Sequence, residues 1–183
     1  MNLLPVTTRV VDAHADGALT RIIVSGGPAL AGATMTDRLA DFNARHDAWR
    51  RALTGAPRSA PGTRAAVVTE AERPASLAGV LLFDGAGPAA IGPDSLSAII
   101  AVIAALAHLG RVRPGRVQLD TPHGVVDAEF AIDGTVRVAG EDRTGRGHIL
   151  FDGSMITEPD DPLGWGAPEA TPQAAASGAV GGD

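Results

Sequence analysis

Apolar positions along the chain fall mainly into short runs bounded by Gly, Pro or Asp, which is the punctuation of strands. Residues 8–11, 20–24, 65–69, 79–83, 116–120, 125–132, 135–138 and 148–151 all read this way. Asp133-Gly134 lies between two alternating runs and predicts a hairpin turn, because both residues tolerate positive φ. Thr121-Pro122-His123-Gly124 predicts a second turn.

Two helices interrupt this pattern. The first is predicted to start near Thr36-Asp37, where Thr can cap and Asp favours the positive helix end. Leu39, Phe42, His46, Trp49 and Leu53 recur at helical spacing up to Gly55. That stripe covers a sheet while Arg38, Asp41, Arg45 and Asp47 meet water, so His46 reads as a packed core-edge histidine. The second helix, residues 95–109, carries Leu96, Ile99, Ile100, Val102, Ile103 and Leu106 most of the way round, with Ala between them. A helix apolar on every side is buried on every side. In a chain of this size it must thread the middle of a curled sheet. The segment from Ala167 onward is Ala, Gly, Pro and Ser with almost no large apolar residue, and is expected to be disordered.

Composition narrows the chemistry. Of 183 residues 45% are hydrophobic but only 3% aromatic, with no Tyr, so one domain is expected, with a core of Val, Ile, Leu and Ala. A net charge of −6 without clustered Lys or Arg excludes a nucleic-acid role, which needs phosphate contacts and stacking rings. The absence of cysteine removes disulfides, thiolate catalysis and Cys-based metal sites together. His14, His46, His108, His123 and His148 lie far apart without metal-binding spacing, so no metal or other cofactor is expected. The longest apolar run, residues 98–107, falls well short of the ~20 residues that span a bilayer. The N-terminus lacks the pattern of a signal peptide. A cytoplasmic protein with no membrane contact is expected.

Four collinear stretches carry a resemblance. Val11-Asp12-Ala13-His14-Ala15-Asp16-Gly17-Ala18-Leu19-Thr20-Arg21 is similar to a V-D-S-H-T-G-G-E-P-T-R motif. Gly32-Ala33-Thr34-Met35 resembles a G-x-T-M turn leading into Arg38-Leu39 and His46-Asp47-Ala48-Trp49-Arg50. Gly79-Val80-Leu81-Leu82-Phe83 precedes the buried helix, which closes with Ala107-His108-Leu109-Gly110. Gly145-Arg146-Gly147-His148-Ile149 and then Glu158-Pro159-Asp160-Asp161-Pro162-Leu163-Gly164-Trp165-Gly166 resemble a closing strand and a D-P-x-D-P-[FL]-x-W-G ending. Together they resemble the proline racemase and 4-hydroxyproline epimerase family. The resemblance implies an α+β fold, one lobe of the diaminopimelate-epimerase-like arrangement: a curled, mostly antiparallel sheet around a central apolar helix. Residues 1–166 form that lobe and 167–183 a tail.

The departures from the family bear on chemistry. Members carry two similar lobes with one acid/base residue on each, yet here the hairpin ending at Val138 runs almost directly into Gly145. The second lobe is expected to be missing from that junction. Counting back from Ala107-His108-Leu109-Gly110 sets Asp94-Ser95-Leu96-Ser97-Ala98 on the family's M-C-G-H-G. Ser95 then replaces the cysteine, Leu96 the glycine and Ser97 the histidine. Counting forward from Gly79 puts Gly92 at the cysteine and Asp94 at the histidine instead; an insertion in the loop at residues 84–88 favours the first register.

Racemisation needs two bases of matched pKa on opposite faces of the α-carbon. Serine is a far weaker acid than a thiol and needs an adjacent base. The family's carboxylate site at this helix N-terminus would face Asp94, which repels an anion; Asp94 and Ser95 read first as helix caps. His14 survives from the first motif, while its glutamate has become Ala18.

The first expectation is a non-racemising, repurposed lobe acting through binding, as a homodimer that replaces the lost lobe contact. Its ligand would be a small carboxylate or imino acid. The alternative is an isomerase or lyase in a cleft shared by two subunits, with Ser95, Asp94 and His14 catalytic and Ser97 and Leu96 binding substrate. Residual epimerase activity ranks third.

Overall fold

The structure, a computed structural model, describes residues 4–89 and 93–167. Nine strands form one sheet: β1 (Val6–Ala15), β2 (Ala18–Ser25), β3 (Arg64–Thr69), β4 (Ala78–Asp84), β5 (Gly87–Pro88), β6 (Gly115–Thr121), β7 (Gly124–Phe130), β8 (Thr135–Val138) and β9 (Arg143–Thr157). Their order is β3-β2-β1-β9-β8-β7-β6-β4-β5, and β3 also pairs with β4. That last pairing turns the expected curled sheet into a closed barrel of eight strands, with β5 a two-residue strand folded back antiparallel on the end of β4. The seam between β4 and β6 is short, with Ala78 facing Leu119 and Gly79 facing Asp120. The pairs β2–β3 and β4–β6 are parallel and the others antiparallel.

Inside the barrel runs α3 (Pro93–His108). Its Ile99, Ile100, Val102, Ile103 and Leu106 are fully buried against Val11, Ala13 and Ala15 of β1, Val80 of β4 and Val136 of β8. Each aliphatic side chain buried this deeply contributes about 1.5–3 kcal/mol. The all-round apolar pattern therefore has the cause assigned to it.

Two glycines of β9 let the helix approach. A Cβ on Gly147 would lie 2.5 Å from the Ala104 Cβ and 3.1 Å from the Ile100 oxygen. One on Gly145 would lie 3.2 Å from Ile100 Cδ1.

A second core covers part of the barrel's outside. There α1 (Met35–Arg45) and α2 (Asp47–Thr54) bury Met35, Phe42 and Leu53 against Val67 of β3 and Leu81 and Phe83 of β4. The Phe42 and Phe83 rings stack at 4.1 Å. The single helix expected up to Gly55 is thus two. His46, with φ −127° and ψ 14°, ends the first and begins the second. Its ring still lies on the core edge, 6.3 Å from Phe42. The cap is Thr34 rather than Thr36: its hydroxyl accepts from Asp37 N, and Asp37 accepts from Thr34 N in return.

Turn chemistry also differs in place. Asp16 (φ 53°) and Gly17 (φ 82°) form the two-residue turn joining β1 to β2. At Asp133-Gly134 only Gly134 has positive φ, because the β7–β8 loop is four residues long and closes through Gly134 N to Ala131 O. The turn at Pro122-His123 is as expected, with Thr121 paired to Gly124. The expected tail falls almost wholly on residues 168–183, outside the described residues; Ala167 donates to Ala56 O at 2.8 Å. Among the described residues no helix is long and apolar enough to cross a membrane.

Candidate functional site

The first turns of α3 hold four of the residues singled out from sequence. Pro93 is the first helical residue, a position suited to its fixed φ and missing N–H. Asp94 and Ser95 accordingly follow Pro93 in the first turn of the helix. The Asp94 side chain lies outside the described residues. Ser95 and Ser97 are buried, and Leu96 belongs to the core cluster inside the barrel.

Ser97 meets Arg143, and through it Asp16, two residues that sequence reading did not single out as site residues. The Arg143 Nη2, at the start of β9, donates to Ser97 Oγ at 2.8 Å and also to Asp16 Oδ2 in the β1–β2 turn. Three distant segments therefore converge where α3 begins. A guanidinium at a helix N-terminal turn has the unfavourable sign for the dipole, and Asp16 supplies the compensating charge. Arg143 Nε is buried without a hydrogen-bond partner among the described residues.

This arrangement suits anion recognition better than proton transfer. Arginine has no acceptor and cannot take a proton from Ser97. No local sequence signal announces the cluster, since Arg143 is 46 residues from Ser97 and 127 from Asp16.

His14 is elsewhere. Strand alternation turns Ala13 and Ala15 toward α3 and His14 to the opposite face. There its ring stacks on His148, its register partner on β9, with centroids 5.1 Å apart and planes 26° apart. The Gly17 N–H approaches His14 Nδ1 at 3.4 Å. His14 shares the β1–β2 turn with Asp16, but no contact joins it to Ser97 or Arg143 among the described residues.

At the far end of α3, His108 Nε2 lies 3.1 Å from Asp152 Oδ2, and Arg9 grips the same carboxylate with two nitrogens. Hydrogen bonding from Arg9, above all, holds Asp152 below the usual carboxylate range. A histidine suits a helix C-terminus, so this group serves the helix. Among the described residues no group of three or more His, Asp or Glu is placed to hold a metal ion.

A sequence model of the family described as proline racemase matches residues 10–144. The chain belongs to the proline racemase family. The 4-hydroxyproline 2-epimerase of Chromobacterium violaceum is 40% identical over 127 residues, covering 69% of this chain and 40% of that protein. The one from Chromohalobacter salexigens is 36% identical over 129 residues, covering 70% of this chain and 40% of that protein. A probable proline racemase from Agrobacterium radiobacter K84, solved with bound carbonate, superimposes with a TM-score of 0.65 at 26% identity, over 72% of this chain and 41% of that one. The chain spans about two fifths of the length of the curated relatives it matches. The family match runs from β1 through α3 to Thr144, so it includes His14, Ser95, Ser97 and Arg143. It stops before the stretches from Gly145 and Glu158 that also resembled the family.

Proposed function

We propose that this protein is a non-racemising member of the proline racemase family that binds a small carboxylate or imino acid where α3 begins. The observation that carries the reading is the Arg143–Ser97–Asp16 cluster in a chain without cysteine. Asp16 and Ser97 share Arg143 Nη2 alone, so the guanidinium keeps a further donor for an anion, and the cluster holds no thiol or paired base for taking an α-proton. The carbonate in the Agrobacterium relative supports a small-anion ligand. We read the chain as one lobe of the diaminopimelate-epimerase-like arrangement, located in the cytoplasm, whose residues 139–142 join β8 to β9 where a second lobe would stand. A homodimer supplies the lost lobe contact, since two-fold dimers are by far the commonest soluble oligomers. The placement of His14 on the outer face of β1 weighs against the shared-cleft isomerase or lyase built on Ser95, Asp94 and His14.

Thermal unfolding in the presence of L-proline, trans-4-hydroxy-L-proline, acetate and carbonate tests the site. At least one of them should raise the midpoint, because a ligand of the native state alone stabilises it by mass action. Arg143→Gln should abolish that rise. Four ligands without effect, or a rise that survives the substitution, would contradict the reading. Light scattering after size exclusion should give twice the chain mass of 18.5 kDa. A monomer at micromolar concentration would remove the dimer.

A further inference from the structure

A second basic position lies on the outside of the barrel, away from α3. Arg58 follows α2, and its Nη2 donates to the backbone oxygens of Ile156 at 2.8 Å and Gly164 at 3.2 Å. Those carbonyls hold the guanidinium in place without neutralising it. No carboxylate pairs with Arg58 among the described residues, and its Nε is buried without a hydrogen-bond partner among them.

Its neighbour Arg21 differs. Asp12 accepts from Arg21 Nε at 2.9 Å and from Nη2 at 2.8 Å, while Arg21 Nη1 is taken by the Arg58 oxygen and by Ser59 Oγ. Arg21 is therefore spent, and Arg58 is the one of the two arginines without a carboxylate partner among the described residues.

Both arginines line a cavity of about 260 Å³ with Val10, Met155 and Phe151. Val10 and Met155 are buried members of the outer core and form an apolar floor. Phe151 is 48% exposed, yet its ring is seated: a Cβ on Gly153 would lie 2.4 Å from Phe151 Cζ and 3.0 Å from Cε1. Glycine at 153 is thus what allows the ring its place beside the cavity. The volume falls just under the roughly 300–1,000 Å³ of ordinary ligand pockets, so an occupant must be small. A guanidinium that no carboxylate pairs among the described residues suits a monoanion, and the apolar floor with an aromatic wall suits an organic body.

We propose that Arg58, Phe151, Val10 and Met155 form a second binding site, separate from the start of α3, for a small monocarboxylate with an apolar body. The carboxylate pairs with the Arg58 guanidinium and the body lies on Val10 and Met155 against the Phe151 ring. The site needs neither the family's chemistry nor the Arg143 cluster.

Benzoate and its uncharged analogue benzamide, titrated into ¹⁵N-labelled full-length protein at constant ionic strength, give the test. Benzoate should shift the resonances of residues 10, 58, 151 and 155 in a saturable way, and benzamide should bind at least tenfold more weakly. Arg58→Gln should weaken benzoate at least tenfold and leave benzamide unchanged. Phe151→Ala, an exposed change that leaves Arg58 in place, should weaken both. This second variant keeps the test open if loss of Arg58 unfolds the 156–164 segment. Equal binding of benzoate and benzamide, undiminished benzoate binding in Phe151→Ala, or shifts confined to residues around Arg143 would overturn the proposal.

Discussion

The two ends of one contact, the middle of α3 against β9 and the first turns of α3 against Arg143, have been treated very differently. In the middle, every side chain serves packing. Ile100, Ile103 and Ala104 fill the barrel, and Gly145 and Gly147 thin the strand so that the helix can lie against it. At the start, packing gives way to hydroxyls and charges: Ser95, Ser97, Arg143 and Asp16. On the function proposed above, the family's scaffold and the family's chemistry part within two turns of one helix. A fold can keep its core, which depends on volume and pattern, after its reactive groups have changed.

The largest effect should come from breaking the middle. Ile103→Ala removes a fully buried side chain at the barrel axis and should lower stability by about 2–5 kcal/mol, measured by urea unfolding. A cost below about 1 kcal/mol would mean that the barrel collapses around α3 more freely than its close packing implies. Gly147→Ala probes the same contact from the strand side. The new Cβ must push against Ala104 and the Ile100 carbonyl, which should cost about 1–3 kcal/mol. If it is neutral, α3 and β9 are not held at the distance seen.

How much of this was legible follows from the same contrast. The barrel helix could be read because an apolar pattern on every side has one physical solution. Most strands could be read because β-branched runs are bounded by Gly and Pro. The length of β9 could not: Gly145, Gly147 and Gly153 lower strand propensity where close approach requires them, so only residues 148–151 stood out. The break at His46 was hidden because Phe42, Trp49 and Leu53 keep helical spacing across it. Asp16-Gly17 carried a hairpin signal as strong as Asp133-Gly134, but it lay inside a motif read for its resemblance. Ser97 was found by alignment with the family motif, whereas Arg143 and Asp16 reach it only through the closed barrel. Asp94 was singled out for its charge, and its side chain lies outside the described residues.

A smaller and pH-dependent effect lies at Asp120, a buried carboxylate of β6 that serves structure alone. Burial on its own would push Asp120 up. Donors from Arg73 N, Ser76 Oγ, the Arg73 guanidinium and Glu72 N outweigh burial and hold it below the usual carboxylate range. A depressed native pKa contributes stability above the unfolded value, near 3.9, that is lost as pH falls through the native value. Wild-type protein should thus lose stability below about pH 4, and Asp120→Asn should show a shallower loss over that range while being less stable at pH 7. Parallel acid profiles for the two proteins would show that the four donors do not favour the charged form.

The central claim is that the scaffold persists while the racemising chemistry does not. Proton NMR of L-proline and of trans-4-hydroxy-L-proline, each incubated with purified protein in deuterated water, tests it most directly. The account predicts that the Cα–H signal keeps its full intensity over the time in which a racemising relative would erase it. Loss of that signal at a rate proportional to protein concentration would contradict the account.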